Sequence, residues 1–164
     1  MNKKYEALPY RKNVSLIVFK CVFKSKKFLM VNLIDWKEDW WKFPQGGIND
    51  GEKLGTAGVR EFEEEIGTNN IKILGQSKYT NKYDWPDEVI ERKHQQFRGQ
   101  SQRFLIVEFL GTEKDIHIDA KEVRKYKWVT PKEVMQFSND PEHMLFQNYN
   151  GKIPKILHEF SLVQ

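Results

Sequence analysis

The stretch FPQGGINDGEKLGTAGVREFEEEIG, residues 43–67, puts four glutamates into the five positions from Glu61 to Glu65. It reads as a glycine-rich loop over 46–51, followed by a helix over about 52–66 that Gly67 stops. Stepping 100° per residue from Glu61, Glu64 falls at about −60° and Glu65 at about +40°, so three carboxylates share one face. Val59, Phe62 and Ile66 gather at roughly 100–160°, an apolar stripe suited to packing on a sheet, while Glu63 at about 200° points to solvent. Like charges three and four apart cost roughly 0.2–0.5 kcal/mol per pair, and the negative end of the helix dipole adds to that cost. Helix propensity does not explain such a face. A divalent cation does, because Mg²⁺ takes carboxylate oxygens and waters and turns the repulsion into ligation. The alternative is a merely solvated acidic face, and context weighs against it. Glycines lead into the helix, and Arg60, four before Glu64, can pair with that carboxylate and fix its orientation.

At 164 residues the chain fits one domain spanning 1–164 with a single core. A hydrophobic fraction of 39% is enough to build it, and a mean hydropathy of −0.70 indicates a soluble protein. The formal net charge of +4 and a pI near 9.0 favour phosphates or nucleic acid as ligands, though only weakly. Cys21 stands alone and cannot close an internal disulfide, which points to the reducing cytoplasm. The apolar stretch 14–23 is too short to span a membrane and carries Lys20. It follows Pro9 and has no small-residue cleavage site, so it is not read as a signal peptide. A cytoplasmic monomer without membrane association is expected.

Residues 13–23 and 27–34, rich in Val, Ile and Phe and separated by Lys24-Ser25-Lys26, read as an antiparallel hairpin. Further strands are expected over 71–80 and 102–110, with a short one over 125–129. Pro131, Pro141 and Pro154 each introduce a helical segment. The polar stretch 81–99 reads as a long loop. Strands and helices are mixed, so the class is α/β.

Gly46, Glu52, Arg60, Glu61, Phe62, Glu64, Glu65 and Gly67 resemble the Nudix box. In that box Gly, five residues, Glu and seven residues precede Arg-Glu, and an apolar residue, any residue, Glu-Glu, any residue, Gly and an apolar residue follow. Eight of the nine specified positions fit; Thr68 departs, where the pattern has an aliphatic residue past the helix. A chance match is on the order of one in ten million per start position. The resemblance implies a Nudix fold, an α/β/α sandwich with a mixed β-sheet, and hydrolysis of a diphosphate bond in a nucleoside polyphosphate. Beyond the box, residues 10–14, 41–48 and 99–103, and Glu122 six before Trp128, resemble the RNA pyrophosphohydrolases and the diadenosine tetraphosphate hydrolases. Tyr83-Asp84-Trp85-Pro86 resembles a motif of the dinucleotide enzymes, and some RNA-processing members carry a similar Tyr and Pro.

The resemblance implies Mg²⁺, or Mn²⁺ in its place, to neutralise the polyphosphate and lower the pKa of a bound water. It assigns Glu61, Glu64, Glu65 and the Gly46 carbonyl to the metal. Glu122 completes the cluster or acts as base, and Glu64 is the leading candidate for the base. Glu52 and Arg60 brace the loop against the helix. Arg11 and Arg103 are expected to contact phosphates, since guanidinium forks suit phosphate oxygens. Phe137 either stacks a base, as in the RNA enzymes, or packs in the core beside Val134; Tyr83 is a second stacking candidate. Trp40 and Trp41 are expected to pack beside the loop. His94, His117, His143 and His158 lack metal-ligand spacing and read as surface residues. The leading function is conversion of a 5′-triphosphate or diphosphate RNA end to a monophosphate, towards which the basic pI leans. The alternative is asymmetric cleavage of diadenosine tetraphosphate to ATP and AMP, towards which the Tyr83–Pro86 motif leans. A third reading, a nucleotide-sensing module without catalysis, is disfavoured because no box carboxylate is missing.

Overall fold

Alternating apolar residues build a sheet whose middle strand is buried on both faces. The computed structural model describes residues 3–163. Its strands are β1 (Tyr10–Val22), β2 (Ser25–Leu33), β3 (Gln45–Gly47), β4 (Ile71–Asp84), β5 (Gly99–Phe109) and β6 (Val123–Val129). They form one sheet in the order β4-β5-β1-β2-β6, with β3 paired to the start of β1. The β1–β5 pair is parallel and the other pairs are antiparallel, so the sheet is mixed.

The helices are α1 (Leu54–Ile66), α2 (Asp87–Arg92), α3 (Pro131–Asn139), α4 (Met144–Tyr149) and α5 (Ile153–Glu159). Successive residues of a strand face opposite sides, and β1 divides its apolar residues accordingly. Val14, Leu16 and Val18 join Phe62 and Ile66 of α1 in one core. Ile17 and Phe19 join Val134, Leu145, Tyr149 and Ile156 of the late helices in the other. The result is the expected α/β/α sandwich. No helix among the described residues is long and apolar enough to cross a membrane.

Three sequence expectations change. The stretch 81–99 is not a loop: β4 continues to Asp84, where Tyr83 and Asp84 pair with Gln100 and Gly99, and α2 follows. Its inward residues Ser77 and Asn81 are polar yet buried, so hydropathy hides the alternation. Trp85 and Ile90 then close a third, smaller core with Tyr5. Helix α1 starts at Leu54 rather than Glu52, and its inner face is made by Ala57, Gly58, Phe62 and Ile66, with Val59 only half-buried. Helix α4 starts beyond Pro141, because the His143 side chain caps it through the Leu145 N–H.

Candidate active site

Strand β3 lies against Asn13–Ser15 of β1, and the chain then turns through Gly51 at φ 76°, a left-handed conformation that costs glycine little. The turn delivers Glu52 to the foot of α1. There its carboxylate accepts the Asn49 N–H at 2.9 Å and two Arg60 donors, Nε at 2.9 Å and Nη2 at 2.8 Å. Arg60 Nη2 also donates to the Gly47 carbonyl at 2.8 Å, tying loop to helix. These bonds, with Arg60 foremost, hold the Glu52 carboxyl down to about 2. Loop and helix are thus joined through Glu52 and Arg60 by a set of hydrogen bonds.

Arg60 serves the carboxylates as well. Its Nη1 donates to Glu61 at 2.8 Å and reaches Glu64 at 3.3 Å. A Cβ at Gly46 would overlap the Glu61 carboxylate, and one at Gly47 would overlap the Arg11 guanidinium. At both positions the end of a charged side chain comes close to the backbone where a Cβ would stand.

The three carboxylates of the shared face occupy different environments. The Glu64 side chain is 59% exposed and that of Glu61 13%, whereas Glu65 is 3% exposed. On the wheel Glu65 stands nearest to Phe62, so it tips into the seam between helix and sheet. Lys42 Nζ meets it there at 3.4 Å and the Gln45 N–H donates to it at 3.1 Å. Burial pushes its carboxyl up, and the Lys42 charge and the Gln45 N–H only partly oppose the shift.

The segment before β6 runs along the last turn of α1, where the His117 and Asp119 N–H groups donate to the Ile66 and Glu65 carbonyls. Glu122 follows in this segment with an exposed side chain. Among the described residues no three His, Cys, Asp or Glu side chains stand close enough together to hold a metal ion. Thus Arg60 gathers Glu52, Glu61 and Glu64, while Glu65 takes Lys42 and the Gln45 N–H as its partners.

The expected substrate contacts are spread over both faces of the sheet. Arg11 alternates with Asn13 and Ile17 on the side of the late helices, whereas Arg103, exposed on β5, alternates with Leu105 on the α1 side. Tyr83 lies on β4 rather than in a loop. It packs against the Trp85 cluster and donates to Gln100 at 3.2 Å. Phe137 is half-buried at the edge of the core, and one of its faces is covered by the His143 ring at 4.4 Å and 5°. His143 is thus part of this layer rather than a free surface histidine. Trp41 packs on the same core, with Lys127 4.1 Å above its ring.

Sequence reading missed a buried polar floor behind the loop. Gln45 Oε1 accepts from Gln102 at 3.1 Å and from the Tyr149 hydroxyl at 3.2 Å. Gln102 also donates to Asn13 at 3.1 Å and accepts from Asn81 at 2.7 Å. The signal available was the isolated amides in otherwise apolar strands. Lys42 was missed too, since its partner Glu65 is 23 residues away.

Comparison with known proteins follows the same lines. An RNA pyrophosphohydrolase of Dinoroseobacter shibae is 33% identical over 156 residues, covering 88% of this chain and 94% of that protein. One of Rickettsia prowazekii is 34% identical over 152 residues, covering 89% and 91%. Among solved structures, an Escherichia coli dihydroneopterin triphosphate pyrophosphohydrolase superposes with a TM-score of 0.66 at 16% identity, covering 92% of this chain and 99% of that one. A C. elegans Ap4A hydrolase binary complex gives 0.61 at 15%, covering 91% and 95%; both show a common fold. The profile of the NUDIX domain matches residues 9–147, a span that holds the loop, the brace and the glutamate helix, and the chain belongs to that family.

Proposed function

We propose that the protein is a pyrophosphohydrolase that converts 5′-triphosphate or diphosphate RNA ends to monophosphates. The observation that carries this reading is the similarity, along nearly the full chain, to proteins named RNA pyrophosphohydrolase. The dinucleotide alternative loses the support that Tyr83–Pro86 gave it. Trp85 is 7% exposed in a core cluster, and Asp84 accepts Arg98 at 2.8 Å and Tyr10 at 2.7 Å. These contacts give Trp85 and Asp84 structural roles of their own.

The residues around the loop fit a divalent cation in donor type and charge. Among the described residues, Glu52, Glu61, Glu64 and Glu65 form salt bridges with Arg60 and Lys42, which leaves an excess of negative charge on hard oxygen donors. Glu61, Glu64, Glu65, Glu122 and the Gly46 carbonyl would hold Mg²⁺ or Mn²⁺. Such an ion, when bound, neutralises the polyphosphate and acidifies water. Glu64, with a side chain 59% exposed, accepts the proton of the attacking water. Arg60 keeps Glu61 and Glu64 oriented, and Glu52 keeps Arg60 in place. Arg11 and Arg103 contact phosphate oxygens, while Phe137, half-buried at the edge of the core, stacks a base of the transcript. The exposed free thiol of Cys21 suits a cytoplasmic monomer.

Phe137→Ala tests the RNA reading. It is expected to lower kcat/KM on 5′-triphosphorylated RNA by about tenfold, the loss of one stacked base, while turnover of diadenosine tetraphosphate stays near wild type. Equal losses on both substrates would reduce Phe137 to a packing residue.

A further inference from the structure

Helix α3 begins beside a cleft of about 590 Å³ whose lining includes Lys24, Ser25, Lys26, Lys132, Met135 and Ser161. None of the described residues lining it is acidic. Phe137 lies five residues beyond Lys132, roughly 8 Å along the helix axis. Cations continue across this interval. Lys127 stands over the rings of Trp41 and Phe137 at 4.1 and 5.9 Å, and Lys125 over Trp41 at 5.6 Å. Glu133 lies within the interval, and its carboxylate is taken up by the Thr130 N–H and hydroxyl, each at 2.7 Å; at the Phe137 end Asp140 and Asp39 act on His143, the ring stacked on Phe137. Lys27 and Lys127 also act on Glu133, adding to its hydrogen bonds in keeping its carboxyl below the usual range.

The rim of the cleft is the two-residue turn between β1 and β2, where Val22 pairs with Ser25. At its tip Phe23 is 100% exposed and sits at φ 55°, a region in which a bulky residue is an outlier. Neither packing nor backbone preference favours phenylalanine there, and strain of this kind collects at functional positions. A free aromatic ring beside lysines is the combination that binds single strands: the cations take the backbone and the ring takes a base.

We propose that this lysine-lined path, from Phe137 to the Phe23 turn, binds the single-stranded body of the transcript downstream of its 5′ end. The proposal rests on the RNA reading given above. Its occupant is polyanionic and carries flat rings, matching both features of the surface. It predicts that the enzyme favours long transcripts over short ones through KM, because the path lies outside the reacting diphosphate.

The test measures binding of 5′-hydroxyl RNAs of about 12 and 3 nucleotides, lengths that bracket a single-strand site, at several salt concentrations. The Lys24→Ala/Lys26→Ala/Lys132→Ala variant is expected to bind the longer RNA about tenfold more weakly, with a slope of log K against log salt shallower by about 2. Binding of the short RNA stays unchanged. On triphosphorylated RNAs of the same lengths, KM rises for the longer one alone and kcat holds. Phe23→Gly is expected to weaken binding of the longer RNA several-fold while raising Tm, a pairing that loss of a structural contact would not give. Equal losses at both lengths, or none at either, would overturn the proposal. So would wild-type binding to anionic vesicles with no preference for the longer RNA, which would assign the surface to a membrane. The 5′-hydroxyl RNAs need no hydrolysis, so the two readings fail separately. Length-dependent binding without RNA turnover would sink the enzymatic reading; RNA turnover without length dependence would sink the path.

Discussion

A Glu64→Gln variant is expected to keep its fold and to lose about a thousandfold in kcat on triphosphorylated RNA, the scale of a general base. Glu64 is the one box carboxylate whose removal costs the structure little. Its side chain is 59% exposed, and its contact with Arg60 is a long one at 3.3 Å along the helix. Exposed substitutions of this kind shift stability by about 0.5 kcal/mol at most. Removing a negative charge from the end of α1 also relieves repulsion and opposition to the dipole. Steady-state turnover and a thermal melt on the same sample give the answer. Turnover within about tenfold of wild type would remove Glu64 from the proton-transfer role, since such a role contributes at least a hundredfold.

Lys42→Met is expected to act in the opposite way, through the fold. The Lys42 and Glu65 side chains are 7% and 4% exposed, and breaking a buried pair leaves an uncompensated charge at a cost of about 3 kcal/mol. For a chain of 164 residues that lowers Tm by about 9 °C. Adding Glu65→Gln should recover most of the loss, because no charge then remains buried. The effect carries a pH signature. Burial raises the Glu65 carboxyl above the ordinary carboxylate value even with Lys42 present. Between those two values the native state binds more protons than the unfolded state. Stability from this group is therefore full below the ordinary value and falls as pH rises through the raised one. Without Lys42 the fall is larger, so the variant should be weaker at pH 8 than at pH 5 relative to wild type. Urea melts at the two pH values measure it. A loss that does not change with pH would mean that Glu65 is not the charge left exposed to the interior.

The same pair marks the boundary of what the sequence discloses. The glutamate face, the glycine loop and the Arg60 brace are local, within 22 residues from Gly46 to Gly67, so helical periodicity and spacing expose them. The inward turn of Glu65 depends on Lys42 across the seam, and no local pattern encodes that contact. Strand β4 was lost beyond Thr80 for a related reason. Its buried residue there is Asn81, satisfied by Gln102 and Asn148 far along the chain, and a polar inward residue breaks the hydropathy pattern on which strand reading depends. His143 reads as a surface residue on the ground that it lacks metal-ligand spacing, whereas its ring meets Phe137 only once α3 and α4 pack together. The sheet order likewise required β5 to return beside β1 in parallel, about ninety residues after it.

The most direct measurement is a competition between 5′-triphosphorylated RNA and diadenosine tetraphosphate, with purified protein and Mg²⁺, comparing kcat/KM for each. A clear preference for RNA is expected, with the product carrying a 5′-monophosphate. A preference for the dinucleotide, with ATP and AMP as products, would contradict that expectation and make the protein a hydrolase of small nucleotides.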